Sequence, residues 1–355
     1  DVDYYLPERN VQGSAENIKL DRKQQRSQYG DATYSTCARG REEWQLRAHE
    51  MTLNHASGRG TARDVVLALW DTPVFYFPYL SFPITDARQS GFLFPRQGYG
   101  SETGFDLTVP YYWNIAPDQD LTFAPRLMTE RGLLLGVEYR YLTPNRRGQA
   151  GFEYIPDDRR YEGARGSFNL IDRAAPLPNV YTDLRYEYVS DDSYLRDLSN
   201  NLDFLTPNYL ERHLDLRYTG DGWQALARVQ GFQILNTALF ALTGNPYERL
   251  PQLQFSGAWP AGSGSLGYQL YGELVNFQQA DVVTGFRLDA WPTLGWPLER
   301  PWGYLKPEAG VRYTGYQLDN TAPGANDAPS RSTPVLSLDS GLIFDRPLQA
   351  DWLGL

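Results

Sequence analysis

The sequence predicts an all-β chain in two parts: a partial β-jellyroll over residues 1–86, followed by antiparallel strands of a transmembrane β-barrel over 87–355. Three observations carry this. From about Gly91 onward, segments of about ten residues alternate apolar with charged or polar side chains, which is the pattern of strands with one face in lipid and the other in water. The longest apolar run, Val65 to Trp70, has six residues. That is far short of the roughly 18 needed for a membrane-crossing helix. Between the two parts, Pro73 to Pro110 alternates aromatics with prolines so densely that no helix tolerates it, since each internal proline removes a donor and clashes with the preceding turn.

Composition bounds the rest. A chain of 355 residues exceeds the usual single core of about 250 to 300 residues, so two domains or one large β structure are expected. Aromatic residues reach 14% and tyrosines number 25, which fits surfaces with an apolar body and a wet rim. A net charge of -10 and a pI near 4.9 give no basic footprint for nucleic acid. Lysine occurs only at 19, 23 and 306. Positive charge is therefore almost all arginine, whose planar fork suits carboxylate or phosphate groups and mostly pairs with neighbouring Asp and Glu. The opening Asp-Val-Asp-Tyr-Tyr has no basic n-region or apolar core, so the N-terminus is expected to have been cut. The single Cys37 rules out an internal disulfide and leaves a small buried residue or a half-cystine with its partner elsewhere.

In the first part, Trp44, Leu46 and Ala48 oppose Gln45, Arg47 and His49. Val65, Leu67 and Leu69 likewise oppose Val66, Ala68 and Trp70. Turns at Tyr29-Gly-Asp-Ala and Ala56-Ser-Gly-Arg-Gly60 fit an antiparallel jellyroll, of which about 85 residues make only the C-terminal part. Asp21 to Gln28 lacks an apolar stripe and reads as a solvated strand or loop rather than a helix. Pro73, Phe75, Tyr76, Pro78, Tyr79 and Pro83 then form an extended connector. Prolines exclude it from a central strand and place it at a sheet edge, a bend or a domain junction, where it is expected to act as a hinge.

In the second part, Val137, Tyr139 and Tyr141 oppose Glu138 and Arg140; Leu184, Tyr186 and Tyr188 oppose Asp183, Arg185 and Glu187; Leu214, Leu216 and Tyr218 oppose His213, Asp215 and Arg217. The rhythm recurs at Leu253, Phe255 and Trp259 and at Tyr268, Leu270 and Leu274. Turns are expected at 143–148, 219–222 and 260–264, with longer loops near 190–208 and 319–333. A soluble sandwich or solenoid also alternates. The membrane barrel is favoured by the number of similar strands, roughly a dozen, and by tyrosine rather than valine or isoleucine on the apolar face. Tyr139, Tyr186, Leu214, Tyr218, Phe255 and Leu270 are expected to face lipid.

Catalytic constellations are thin, and the chain is not expected to be an enzyme, to need a cofactor or to hold a metal. The histidines are His49, His55 and His213, without metal-ligand spacing. Gly262-Ser-Gly-Ser-Leu-Gly267 matches the dinucleotide fingerprint in form, but it leads into a strand instead of a helix and reads as a hairpin turn. Asp157-Asp158 and Asp191-Asp192 sit in turns, where Asp is expected for backbone reasons. A translocation or assembly device is favoured over a porin-like or receptor channel for small solutes, because a periplasm-type β domain precedes the barrel through a stiff connector.

The segments Pro73-Val-Phe-Tyr-Phe-Pro-Tyr-Leu80, Arg88-Gln-Ser-Gly-Phe-Leu-Phe-Pro95, Pro110-Tyr-Tyr-Trp-Asn-Ile-Ala-Pro-Asp118 and Glu138-Tyr-Arg-Tyr-Leu142 together resemble the lipopolysaccharide-assembly outer-membrane family LptD. The likeness is strong from about Asp31 to Leu142 and looser beyond. Family members run about twice this length, so the chain is expected to be a fragment, as its ending Asp-Trp-Leu-Gly-Leu355, without the usual final aromatic, also indicates. The resemblance implies a Gram-negative outer-membrane location with the N-terminal domain in the periplasm. It implies that lipopolysaccharide arrives from an LptA-like periplasmic bridge, that its acyl chains are held in the jellyroll and released sideways into outer-membrane lipids, and that an LptE-like lipoprotein plugs the barrel. It also implies that Cys37 bridges to a cysteine near the barrel's C-terminal end, and that Pro95 and Pro110, placed at the start of the first and second barrel segments, weaken a lateral gate.

Overall fold

The computed structural model describes residues 2–6, 11–37, 43–85, 88–198, 207–260, 262 and 264–345. The expected domain boundary at 86–87, part of the 190–208 loop, residues 261 and 263 of the 260–264 turn, and the ending 351–355 lie outside the described residues. The chain divides into two compact units, one of Asp1–Arg140 with Glu153–Ala164 and one of Tyr141–Phe152 with Arg165–Leu355. The fold is all-β, a jellyroll-type part followed by antiparallel barrel strands.

In the first unit, β1 (Val2–Leu6) and β2 (Val11–Ala15) form a two-stranded antiparallel sheet. A five-stranded antiparallel sheet follows in chain order: β3 (Asn17–Asp21), β4 (Arg26–Tyr34), β5 (Trp44–Asn54), β6 (Arg59–Leu69) and β7 (Thr72–Pro83). Asp21 to Gln28 contains the β3–β4 turn, where Asp21 Oδ1 accepts from the N–H groups of Lys23 and Gln24. The core is built mostly of small side chains: Ala15, Ala32, Ala48 and Ala62 with Met51 and Val65, flanked by Ile18, Leu53, Phe77 and Phe82.

The alternation expected along β6 holds only to Val65. The β6–β7 register shifts between Leu67 and Ala68. The extra residue, Val74, lies on β7, two steps separating Pro73 from Phe75 against one from Leu67 to Ala68; at this end of β6 Ala68 is buried and Leu69 and Trp70 are exposed.

The barrel strands of this unit begin with β8 (Gly91–Phe92), β9 (Arg96–Gly100), β10 (Gly104–Thr108), β11 (Tyr111–Ala116) and β12 (Gln119–Met128). β13 (Gly132–Thr143) and β14 (Arg146–Asp158) carry residues of both units. The second unit continues as an antiparallel meander through β15 (Gly163–Leu177), β16 (Val180–Val189), β17 (Tyr209–Thr219), β18 (Trp223–Ile234), β19 (Glu248–Trp259), β20 (Gly267–Gln278) and β21 (Thr284–Gly295). It ends with the short β22 (Leu298–Arg300), β23 (Gly303–Asp319) and β24 (Ser330–Leu342). Two short helices, α1 (Tyr194–Leu198) and α2 (Thr237–Thr243), sit in the longer connections. The barrel strands form 17 segments among the described residues, more than the expected dozen or so strands in part because the first two strands are each broken in two and β22 is a short separate piece.

Candidate functional site

The first two barrel strands are each broken in the middle. Leu93, Phe94 and Pro95 separate β8 from β9, and Val109 and Pro110 separate β10 from β11. The breaks lie opposite one another, since β9 pairs with β10 (Arg96 opposite Thr108) and β8 with β11 (Phe92 opposite Tyr111). From Arg96 back to Phe92 is four steps, while from Thr108 to Tyr111 is three, so the first strand carries one extra residue: a bulge. Pro95 and Pro110 therefore lie within the strands rather than at the start of the two segments. The physical reason is that a proline has no N–H and a fixed φ, so it interrupts the ladder wherever it falls.

What remains across the break is one-sided. The Leu93 N–H donates to the Pro110 carbonyl at 2.9 Å, and the proline nitrogen has no hydrogen to return. The same deficit recurs on the other side. The Val109 N–H donates to the Pro125 carbonyl at 3.2 Å, and Pro125, in the middle of β12, cannot reciprocate. Pro125 was missed in the sequence; its signal was the matching position it takes on the third strand, visible once β10 and β11 are registered on β12 with Thr108 opposite Arg126 and Tyr111 opposite Phe123.

The connector residues are not a free linker. Pro73, Phe75, Tyr76, Pro78, Tyr79 and Pro83 all lie in β7, a strand of 12 residues at the edge of the five-stranded sheet. An edge strand leaves one side unpaired, which is where proline is tolerated. The chain then passes through Arg88-Gln89-Ser90, which is densely bonded. Gln89 Nε2 donates to Gly58 O at 2.7 Å in the β5–β6 turn. Arg88 donates to Asp120 Oδ2 at 2.7 Å and to Pro117 O at 2.6 Å. The Asn114 side-chain amide donates to Arg88 O at 3.0 Å and its backbone N–H to Ser90 Oγ at 2.9 Å. This short run ties the jellyroll-type sheet to the β11–β12 hairpin.

Cys37 is half-buried and carries a free thiol. Its backbone N–H donates to Ser35 Oγ at 3.1 Å, and its carbonyl accepts from Gln12 Nε2 at 2.8 Å. Hydrogen bonds from the Trp44 backbone and the Ser35 side chain lower the thiol pKa. The three histidines are held by polar neighbours: His49 by Asp31, His55 by Ser27, and His213 by Glu211.

In the second unit the usual polarity of a protein is inverted. Leu214, Leu216, Tyr218, Leu253, Leu270 and Leu274 are exposed. On the alternate face Asp215, Gln230, Gln252, Glu273 and Asp289 are buried. Cross-strand register keeps each set on one face: Leu214 lies opposite Val229, and Asp215 opposite Arg228. Exposed apolar with buried charge is what a lipid-facing wall around a polar interior requires. The polar face is neutralised pair by pair. Arg228 holds Asp215 through two bonds of 2.6 Å, Arg312 holds Asp289 at 2.7 Å, and Arg287 bonds Glu273.

On the apolar face Tyr218, Trp223, Phe255, Trp259 and Tyr268 form a continuous aromatic row, with centroids of successive rings 5.0, 5.6, 6.5 and 5.1 Å apart. The row ends at the short turns, where an interfacial girdle belongs. Tyr139 departs from the simple expectation: it is half-buried, and its hydroxyl donates to Gln119 Oε1 at 3.0 Å.

Comparison with known proteins agrees with this arrangement. The family model described as "LPS transport system D" matches residues 163–352, more than half of the chain, and that described as "LptD protein" matches 61–158. The chain is 39% identical over 347 residues to an LPS-assembly protein of Nitrosococcus oceani, covering 97% of this chain and 47% of the relative. It is 40% identical over 358 residues to one of Alkalilimnicola ehrlichii, covering 99% of this chain and 46% of the relative. A third, from Aromatoleum aromaticum, is 38% identical over 319 residues, covering 89% of this chain and 40% of the relative. The chain thus spans about half the length of the curated relatives it matches.

Proposed function

The chain belongs to the LptD family, and from that premise we propose that it is part of an outer-membrane lipopolysaccharide translocon. In this reading residues 1–86 are the C-terminal part of a periplasmic jellyroll that receives the glycolipid, and 87–355 are the N-terminal portion of the barrel that delivers it to the outer leaflet. The observation that carries it is the pair of broken strands with one-sided hydrogen bonds, Leu93 to Pro110 and Val109 to Pro125. In lipid every backbone group must be paired within the wall, so a wall with missing donors is weakest there. Such a weak line suits an amphipathic cargo whose acyl chains belong in the membrane and whose sugar belongs in water.

The bonded run Arg88-Gln89-Ser90 supports direct hand-over, because it holds the β5–β6 turn of the receiving sheet against the β11–β12 hairpin of the barrel. An LptA-like bridge delivering to β7 and an LptE-like lipoprotein filling the polar interior complete the proposal. Cys37 takes the role of a half-cystine tying the jellyroll to the rest of the full-length protein, in a compartment oxidising enough to keep such a bridge.

The test is reconstitution of the full-length protein with its plug in proteoliposomes, following transfer of lipopolysaccharide to the far leaflet, alongside planar-bilayer recording. Transfer with little ion conductance is expected. Large open conductance without transfer would favour a solute channel instead.

A further inference from the structure

On the polar face of the second unit, two arginines without a carboxylate partner line one cavity. A cavity of about 460 Å³ lies against the ends of β13 to β17 nearest the short turns, with Arg147, Arg173, Asp183, Asp215 and Arg217 in its lining. Register puts Arg173 opposite Asp183, Asp183 opposite Asp215 and Tyr181 opposite Arg217, so these side chains share the polar face. Arg147 alternates with Gly148, whose missing Cβ would point at the Tyr141 hydroxyl. Tyr141 in turn bonds Asp172, and Asp172 lies opposite Leu184 on the apolar face. Arg147 therefore also belongs to the polar side.

Both carboxylates of the cavity are already neutralised. Arg173 Nε lies 2.9 Å from Asp183 Oδ2, and Arg228 takes both oxygens of Asp215 at 2.6 Å. Arg147 and Arg217 are exposed and form no ion pair or hydrogen bond among the described residues. Elsewhere on this face Arg287 and Arg312 are each matched to a carboxylate, while Arg249 and Arg331 stand singly, without an ion pair among the described residues and outside the cavity lining. Two unmatched guanidinium groups in one cavity, beside carboxylates that can no longer attract them, make a site for a dianion. The planar fork favours phosphate.

We propose that this cavity is a phosphate-binding station in which Arg147 and Arg217 hold a sugar phosphate of the glycolipid cargo as it enters the polar interior from the short-turn end. Short turns face the periplasm in bacterial barrels, so the station would be met early. The proposal rests on the lipopolysaccharide reading above, which its test keeps separate.

A photoreactive residue replaces Ala175, which lines the same cavity, in the full-length protein with its plug. Crosslinking is measured to lipopolysaccharide before and after enzymatic removal of its phosphates. The phosphorylated form should crosslink roughly tenfold more strongly, the size of one lost charge-assisted contact. Arg147→Gln with Arg217→Gln should remove that difference while leaving the dephosphorylated signal unchanged. Inorganic phosphate should compete better than chloride of equal ionic strength. Equal crosslinking of the two forms by the unaltered protein overturns the station without needing the variant to fold. So does equal competition by chloride, or a double variant that keeps the phosphate preference. Transfer that proceeds normally without any crosslink at Ala175 also overturns the station and leaves the translocon reading intact; loss of transfer by the unaltered protein would count against that reading itself.

Discussion

Arg88 Nη1 lies 2.7 Å from Asp120 Oδ2, joining the segment that leaves the jellyroll-type sheet to β12, the third strand of the barrel and the first without a break. The same carboxylate also takes Arg140 Nε at 2.8 Å and the Tyr112 hydroxyl at 3.2 Å, and it is only 6% exposed. Two half-exposed arginines thus converge on one buried acid. Removing the acid should cost more than removing either arginine, because it leaves two cations without their partner. Asp120→Ala is expected to destabilise more than Arg88→Ala in denaturant unfolding of the detergent-solubilised protein. A double-mutant cycle between the two should show coupling of about 0.5 to 3 kcal/mol. Additive effects would show that Arg88 and Asp120 merely lie close together.

The inverted faces can be tested on two adjacent residues. Leu253 is 45% exposed on the apolar side, and Gln254 lies opposite Glu273 on the polar side. Leu253→Arg should cost about 2 to 4 kcal/mol if it sits near the bilayer midplane. Gln254→Arg should cost almost nothing, since it gains an acid across the strand pair. Folding titrations into lipid vesicles read both values, and equal tolerance of the two would remove the lipid-facing assignment.

Much of this was legible in the chain because period-two alternation does not depend on knowing the partner strand. Leu214 against Asp215 is read correctly from the sequence alone. Ala68 and Leu69 were not, because burial at the end of a strand depends on what packs over it, which hydropathy does not show. Pro95 and Pro110 stood out by type, yet their position within the strands needed the pairing of β8 with β11 and β9 with β10. Pro125 sits in an otherwise regular strand and gained meaning only opposite Val109. The excess charge at Arg147 and Arg217 was hidden for the same reason: whether an arginine is matched depends on cross-strand register, which the sequence does not display.

His49 offers a pH test outside the membrane. Its Nδ1 lies 2.8 Å from Asp31 Oδ1, and the Asp31 hydrogen bond, followed by its negative charge, raises the imidazole above its ordinary 6.5. The unfolded value is the lower one, so the contribution to folding is fully present below about 6.5. It is lost as pH rises through the raised folded value. The pair is exposed, and its effect on stability is expected to be small. An NMR titration should place His49 above 6.5, and Asp31→Asn should bring it back down. Titration at or below 6.5 in the unaltered protein would show that the pair does not form in solution.

The one-sided bonds at Pro110 and Pro125 make the final prediction. Leu93 and Val109 each donate to a proline carbonyl and receive nothing from that proline's nitrogen. Pro110→Ala and Pro125→Ala each supply the absent N–H, and each restored bond is worth about 0.5 to 1.5 kcal/mol. Part of that gain is offset because the unfolded chain regains the freedom proline had removed. Amide exchange at Leu93 should slow in Pro110→Ala, and exchange at Val109 should slow in Pro125→Ala. Pro95→Ala should act differently, since its residue belongs to the bulge, where the extra residue has no partner of its own. If the broken strands form the weak line through which the glycolipid leaves, Pro110→Ala combined with Pro95→Ala should fold at least as well as the unaltered protein and export lipopolysaccharide more slowly. Adding Pro125→Ala should slow it further only if the weakness extends to the third strand. Slower exchange at Leu93 with export at the unaltered rate would separate the strengthened ladder from the exit, and the gate would have to be sought elsewhere in the wall.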